Sequence, residues 1–514
     1  MKTMNIIAKT ALFALAVVSF TACSEERMDE INKDLNHSTD ATANFIIPEI
    51  ELNTAQNIVG GDFNTYFGCY VEHWTGTHNQ LYNAEIRGIQ IHAASTYNNV
   101  WAGIYENIRN AKIVVSKCSE GGSESSNELG HAVGNIMLAY DAALATDMFG
   151  DTPFSQVGDY KKYMTPDLDK QEEIYETVFG LLNEAIDILS GDPDNTLQSY
   201  DFIYEGDAEK WLKFAYGLKA RYTMHLLNVS DDEESALKDV IEYVNKSFEN
   251  ADEQAKINVY DGNNINPVFD FEWSRDGISS SRSLYNKLVA HNDPRVNHAY
   301  VHSGGWNYLD AEAVEEYLPN NGMIGLEQSQ YEFAYDASVF GETADVLLLS
   351  YHEILFLKAE AQARLGYDEA LTTLSDAVEV AMANFNKNIA TAVSAPDVVY
   401  YGGIEDPGMV SDDEIEEYMA EVENEYLNDP LKEVMIQKYF GMWGCNGEST
   451  ETYNDVRRLK AMDEDIYDLE NPGDFPLRAG YGTDDTSSNE FVRKAFGDGK
   501  YVYTEPVWWA GGTR

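Results

Sequence analysis

Apolar residues recur every three or four positions along most of this chain, the spacing that puts them on one face of an α-helix. Trp101, Ile104, Tyr105, Ile108 and Val115 make one stripe. After a Gly/Ser/Asn-rich loop at 121–127, Val133, Ile136, Met137, Tyr140 and Leu144 make the next. A second pair carries Ile174, Val178, Leu181, Leu182, Ala185 and Leu189 on one helix and Trp211, Phe214, Leu218, Tyr222 and Leu226 on the other. Asp169, with Glu172 three residues on, and Asp207 are the expected N-caps. A third pair has Leu348, Tyr351, Leu355 and Ala359, a turn at Gly366-Tyr367-Asp368, then Ala370, Leu374, Ala377, Val378 and Ala381. The Ala370/Leu374/Ala377 spacing matches the second helix of a tetratricopeptide repeat. A fourth pair is expected at about 411–427 and 429–444, with Pro430 near the start of its second helix. The pattern predicts a mainly α protein built of tetratricopeptide-like helix pairs, too far apart in sequence for a continuous solenoid.

Residues 45–97, 260–345 and 471–514 lack this periodicity and read as long irregular loops, which in compact proteins usually carry function. The expected organisation is one large domain over 45–514. The chain starts differently. Lys2 and Lys9 are the only charges before an apolar run, Ala11 to Phe20, which is too short to span a bilayer and is followed by Thr21-Ala22-Cys23. That order is a secretory signal over 1–22. It resembles a bacterial lipobox with Phe20 in the usual Leu position, which implies cleavage before Cys23 and lipidation of that residue. Residues 23–44 then form a polar tether, whose Ser24-Glu25-Glu26 resembles the surface-export signal of Bacteroidetes lipoproteins.

Charge narrows the function. The 88 Asp+Glu outweigh 35 Lys+Arg, for a net charge of −53. Losing Lys2 and Lys9 with the leader makes the imbalance larger. Phosphate backbones repel such a polyanion, so nucleic acid is excluded as a partner. The chain is no disordered acidic tail, because 33 Tyr, 21 Phe and 8 Trp run through it. Much of the excess sits at Asp412–Asp429, nine acids without a Lys or Arg, which reads as a solvated face.

Catalytic motifs are missing. There is no Gly-rich Lys-Ser/Thr phosphate loop, no Gly-x-Ser-x-Gly elbow and no His-Glu-x-x-His. His298 and His302 lack a third ligand, and Cys69, His73 and His78 fit no zinc spacing. No spacing nominates a disulfide among Cys69, Cys118 and Cys445. Asp192-x-Asp194-Asn195 offers oxygen ligands suited to structural calcium, with a plain turn as the other reading. Carboxylates are too plentiful for counting to nominate a glycosidase pair. The loop aromatics are more telling. Trp74 and Tyr82, Trp273, and Trp306 with Tyr308 sit among amides, hydroxyls and carboxylates. Rings beside such groups suit a sugar, whose apolar face they cover, or a peptide. The competing reading makes them anchors of loops to the scaffold.

Asp147-Met-Phe-Gly-Asp-Thr-Pro-Phe-Ser155 closes the second long helix. With Asp169-x-Gln171-x-x-Ile174-Tyr175, Gly206-Asp207, Trp211-x-Lys213-Phe214-Ala215, Asn292-Asp293-Pro294-Arg295, Glu353-Ile354-x-Phe356-Leu357-x-Ala359-Glu360-Ala361 and Asp455-x-Arg457-Arg458, it resembles SusD/RagB-type nutrient-binding lipoproteins, in particular their second large subfamily. Phe475-Pro476-Leu477-Arg478 is a degenerate form of a C-terminal family stretch, and Gly444-Cys445-Asn446-Gly447 interrupts what is commonly a cleaner helix. The resemblance implies a surface-exposed outer-membrane lipoprotein that captures a nutrient oligomer, most often a glycan. It implies delivery to a TonB-dependent SusC-like transporter, over which the protein acts as a hinged lid. It implies no catalytic residue and no cofactor. The alternatives are a surface glycan-degrading enzyme and a helical-repeat assembly scaffold. The Asp147–Ser155 motif itself reads as structural, with Gly150 turning the chain out of the helix and Pro153 barring its continuation.

Overall fold

The structure of the protein, a computed structural model, describes residues 41–88, 92–325 and 332–514. Its compact unit runs Ala43–Arg514. The leader 1–22, Cys23 and the tether as far as residue 40 lie outside the described residues.

The unit begins with α1 (Ala43–Asn53), passes through a π-helical stretch (Thr54–Phe63) and continues as α2 (Asn64–Tyr70). This corrects the expected tether to residue 44 and irregular stretch from 45. Ile47, Ile50, Ala55, Ile58 and Phe63 are all buried at helical spacing. Pro48, Gly60 and Gly61 hid the pattern, and packing on the next two helices overrides their poor propensity. Strand β1 (Trp74–Gly76) follows.

The paired helices come next: α3 (Asn98–Cys118) and α4 (Glu128–Phe149), then α5 (Gln171–Leu189) and α6 (Ala208–His225). α4 is buried on nearly every side, so the stripe read from the sequence understates it. Asp207 caps α6 as expected, accepting from the backbone N–H groups of Glu209 and Lys210 at 3.1 and 3.2 Å. Asp169 does not cap α5. Its carboxylate instead accepts from Phe154 N and Ser155 N at 2.8 and 2.9 Å, while Asp151 accepts from Gln171 N at 3.0 Å.

Helix α7 (Glu233–Val244) is a finding without a sequence expectation. Strand β2 (Ala255–Ile257), helix α8 (Pro267–Arg275) and strands β3 (Ile278–Ser280), β4 (Tyr300–His302), β5 (Ala334–Asp336) and β6 (Val346–Leu349) punctuate the long central insertion. Strands pair antiparallel as β1–β3, β2–β6 and β4–β5. Leu348 therefore belongs to a strand, and the third helix pair starts after it, as α9 (Tyr351–Leu365) and α10 (Ala370–Val393). Gly366, with φ +69°, ends α9 in the left-handed turn that a side chain would strain. The fourth pair is α11 (Asp412–Asn428) and α12 (Pro430–Gly441), followed by α13 (Ser449–Ala461). Ser411 and Glu414 form a reciprocal capping box on α11. Only Tyr418 and Val422 of α11 are buried, so its acids face water.

The pairs stack although the sequence separates them. α3 packs on α4, α4 on α5, α5 on α6, α6 on α7, α7 on α9, and α9 on α10 and α12. α7 supplies the missing step across the insertion. Buried ions tie the stack together. Arg221 of α6 grips both Glu353 oxygens at 2.6 Å and donates to Leu348 O at 2.8 Å. Arg458 of α13 grips both Glu360 oxygens at 2.7 and 2.8 Å. Burial raises the Glu360 carboxyl, but the Arg458 and Arg364 charges outweigh it and hold it at about 2. His225 lies between Asp147 at 3.2 Å and Glu451 at 2.9 Å.

The residues that carry the family resemblance turn out to be this interior framework. Asp147 accepts from Tyr175 Oη and Trp509 Nε1, the first at 2.5 Å and the second at 2.8 Å. At Gly150, φ is +77° and a Cβ would stand 2.3 Å from Arg478 Nη2. Asp293 pairs with Arg295, which donates to Phe440 O at 2.9 Å.

Candidate functional site

The long insertion brings two of the expected aromatic residues together. Asn266 caps α8, accepting from Val268 N at 2.8 Å while its amide donates to Ala344 O at 3.0 Å. Pro267 occupies the first turn, where a missing N–H costs nothing. Phe269 and Trp273, four apart, share a face of α8 and stack at 5.3 Å between centroids and 19° between planes. Phe269 is buried and Trp273 is half-buried, so the inner ring fixes the outer one.

Trp306 reaches the same place from the loop after β4. Ser303-Gly304-Gly305 turns the chain and Trp306 itself has φ +52°, an uncommon backbone for a large residue. Hydrogen bonds hold that conformation: Trp306 N donates to His302 O at 2.9 Å, and Glu405 N donates to Trp306 O at 3.0 Å. Tyr308 N adds a bond to Glu405 Oε2 at 3.0 Å. Trp306 lies 5.8 Å from Trp273 and 5.7 Å from buried Phe340.

A third segment completes the group. The short helix Pro396–Tyr400 ends on Tyr401, whose ring is 5.6 Å from Trp273 and 5.0 Å from Tyr400. Tyr401 is 67 % and Tyr400 80 % exposed. Gly402 and Gly403, at φ +124° and +80°, turn the chain away beneath them. Half-buried Trp273 and Trp306 and exposed Tyr400 and Tyr401 thus form a run of touching rings at the surface, a platform backed by Phe269 and Phe340. Solvent-facing rings in contact present flat apolar area at low entropic cost, the arrangement that covers the face of a pyranose or an extended peptide.

The other expected residues lie elsewhere. Trp74 is fully buried in β1, with its indole N–H 3.5 Å from Asp336 and its ring so close to Gly68 that a Cβ there would stand 2.4 Å away. It is corrected from ligand contact to core anchor, because no ring face reaches solvent. Tyr82, 9 % exposed, packs with Phe333 and Ile86 and accepts Gly325 N at 2.8 Å, so it too serves as an anchor. Tyr308 is half-buried and spends its hydroxyl on Asn297 O at 2.8 Å, bracing the Trp306 loop from below. Tyr400 and Tyr401 had no expectation attached. Their signal was the Tyr-Tyr-Gly-Gly sequence itself, aromatic residues in front of a turn.

The remaining candidates resolve locally. His298 bonds Pro407 O and Glu414 Oε1, both at 3.0 Å, while His302 packs on Tyr317 at 4.5 Å, so the two histidines share no site. His73, held at about 3 by burial, is fixed between Ser449 and Tyr439 at 3.0 Å each. Asn195 of the calcium candidate spends its amide on Gln198 N and Glu205 O, the bonds of a turn. Among the described residues no three His, Cys, Asp or Glu side chains are placed to hold a metal. Cys69, Cys118 and Cys445 are separate, buried thiols. Beside the platform, burial lifts the Glu272 carboxyl to about 8. That group accepts from Gly277 N at 3.1 Å and Ile278 N at 2.8 Å, capping the end of α8 with no face toward solvent chemistry. No helix among the described residues is long and apolar enough to cross a membrane.

Comparison with known proteins gives a consistent result. A SusD-like family, described as starch-binding and associating with the outer membrane, matches residues 35–481. A crystal structure of a SusD/RagB family protein from Bacteroides thetaiotaomicron superposes with a TM-score of 0.87 at 41 % identity, covering 92 % of this chain and 100 % of the other. A chitin-binding protein shares the fold at TM-score 0.67 and 21 % identity, covering 90 % and 99 %. A SusD homolog from Bacteroides fragilis does so at 0.68 and 16 %, covering 91 % and 100 %. None of the curated proteins matches this chain. The helical stack, the framework built from the motif residues and these matches lead to one conclusion: the chain belongs to the SusD-like family of outer-membrane-associated binding proteins.

Proposed function

We propose that this protein is a surface-exposed, lipid-anchored binding protein that captures a neutral glycan oligomer and passes it to a TonB-dependent SusC-like transporter. The observation that carries the reading is the surface platform in which exposed Tyr400 and Tyr401 meet half-buried Trp273 and Trp306. Stacking supplies affinity there without any bond being broken, so the reading assigns neither catalytic residue nor cofactor. The starch-binding description of the family and a chitin-binding protein among the structural neighbours support a glycan over a peptide. The net charge of −53 favours a neutral ligand over a polyanion. Cys23 is the proposed anchor, with the membrane reached through its acyl chains. Delivery to a transporter rests on family membership.

Two measurements test this. A glycan array probed with the purified protein should show neutral oligosaccharides bound and the signal lost in Trp273→Ala. A peptide-only profile, or oligosaccharide binding untouched by Trp273→Ala, Trp306→Ala and Tyr401→Ala together, would sink the platform. Affinity capture from outer membranes should recover a large β-barrel transporter. Its absence would favour the assembly-scaffold alternative.

A further inference from the structure

Helix α8 has a second working face. Pro267, Asp270, Phe271, Ser274 and Arg275 recur at helical spacing on the side turned away from Phe269 and Trp273. They form one wall of a cleft of about 580 Å³, within the size range of small-ligand sites. The π-helical stretch and α3 form the others, through Gln56, Asn57 and Asp62 on one and Asn99, Ala102 and Glu106 on the other. Two features suggest that this space is built. A π-helix is rare and tends to occur at functional sites, and here its dihedrals break at Gly61 on the cleft itself. Gly60 then lets α8 close in, since a Cβ there would stand 2.8 Å from Pro267 Cγ.

The polar groups in the cleft are only partly used by the protein. Asn53 is committed to Gly103 O and Asn107 at 3.1 and 2.7 Å, and Asn99 reaches Asp62 at 3.4 Å. The side chains of Gln56, Asp270 and Arg275 make no hydrogen bond or ion pair among the described residues, although the Arg275 guanidinium lies 5.7 Å over the Phe271 ring and its charge offsets part of the rise that burial imposes on the Asp62 carboxyl. The cleft therefore offers a carboxylate acceptor, a guanidinium donor and an amide that does both, beside the Phe271 ring. An anion would face Asp62, Glu106 and Asp270. A metal cation would find no converging set of acids. Neighbouring hydroxyls on a sugar ring donate and accept at once, and they match this mixture.

We infer that the cleft is a second saccharide subsite, which grips the hydroxyl edge of one neutral sugar unit on the opposite side of α8 from the ring platform. The inference rests on the glycan reading given above, yet the two sites use different residues and are separable by mutation. The test is saturation-transfer NMR on the purified protein with the methyl glycosides of glucose, galactose, mannose, N-acetylglucosamine, xylose and fucose. At least one should receive saturation. That signal should persist in Trp273→Ala/Tyr401→Ala, and its affinity should fall about tenfold or more in Arg275→Ala, which removes a charged hydrogen bond. Ala102→Trp should abolish it by filling the cleft from α3 while leaving α8 untouched. Melting temperature and near-ultraviolet circular dichroism check that each variant folds. No transfer from any of the six sugars, or transfer lost in the platform variant and kept in both cleft variants, would overturn the inference. Oligosaccharide binding on the array would leave the platform standing in either case, whereas its absence would remove the platform reading separately.

Discussion

Tyr401 and Trp74 differ in what each can do, and replacing each by alanine separates binding from stability. Tyr401 keeps 67 % of its surface in solvent and touches Trp273 and Tyr400 only through tilted or edge contacts at 5.6 and 5.0 Å. Removing it uncovers little apolar area, so folding should lose no more than the ~0.5–1.5 kcal/mol that an aromatic pair contributes. If the ring stacks on ligand, its loss should weaken binding by about 1–3 kcal/mol, roughly 5- to 150-fold in Kd. Trp74 is the opposite case. Its indole is fully enclosed against Gly68 and Asp336, and Trp→Ala in such a place costs about 3–5 kcal/mol of stability. Below its unfolding transition, Trp74→Ala should bind as the wild type does. Isothermal titration with the strongest oligosaccharide from the array, beside denaturant melts, reads both quantities. Unchanged affinity in Tyr401→Ala, together with lost affinity in folded Trp74→Ala, would refute the assignment of platform and anchor.

The framework yields further expectations. Burial alone would lower the His225 pKa, but the Asp147 and Glu451 charges lift it to about 9. A raised folded-state pKa stabilises fully below the unfolded value near 6.5 and is lost as pH rises through about 9. Melting temperature should therefore fall across that window in the wild type and fall less in His225→Gln; identical slopes would exclude the histidine. Glu360→Gln removes one of the two carboxylates that Arg458 holds, leaving Asp455 at 2.9 Å, and should cost about 1.5–3 kcal/mol in a denaturant melt, with an unchanged midpoint counting against the pair. Gly150→Ala puts a Cβ into Arg478 at positive φ and should destabilise by more than about 1 kcal/mol, and an unchanged melting midpoint would show that the turn tolerates a side chain. Cys23→Ala should move the protein out of the outer-membrane fraction, and continued membrane retention would argue against lipidation at that residue.

The regular part of this molecule was legible because its signal is local. Helical spacing marked α3, α4, α5, α6, α9, α10, α11 and α12, and Gly366, Asp207 and Pro430 marked their ends as the structure has them. Legibility failed where packing overrules local preference. The entry through α1, the π-helical stretch and α2 contains Pro48, Gly60 and Gly61, residues that read as breakers until a neighbouring surface is there to hold them. The Asp169 cap failed for a related reason: Asp151, nearly one loop away in sequence, reaches the start of α5 first.

The functional rings show the same division. The sequence alone determined that aromatic residues sit in long loops among polar neighbours, that the protein is a helical scaffold with an acidic surface, and that its ordered motifs resemble one family. It did not distinguish Trp74 from Trp273, since both lie in stretches without helical periodicity and exposure depends on what folds over them. Only the tertiary structure decided that β3 and β5 enclose Trp74, and that a helix, a strained loop and the turn after Tyr401 meet from residues 273, 306 and 401. Residue spacing along one helix is set by bonds within a few residues. A surface assembled from three distant segments is set by the packing beneath it, and no short stretch of sequence contains that information.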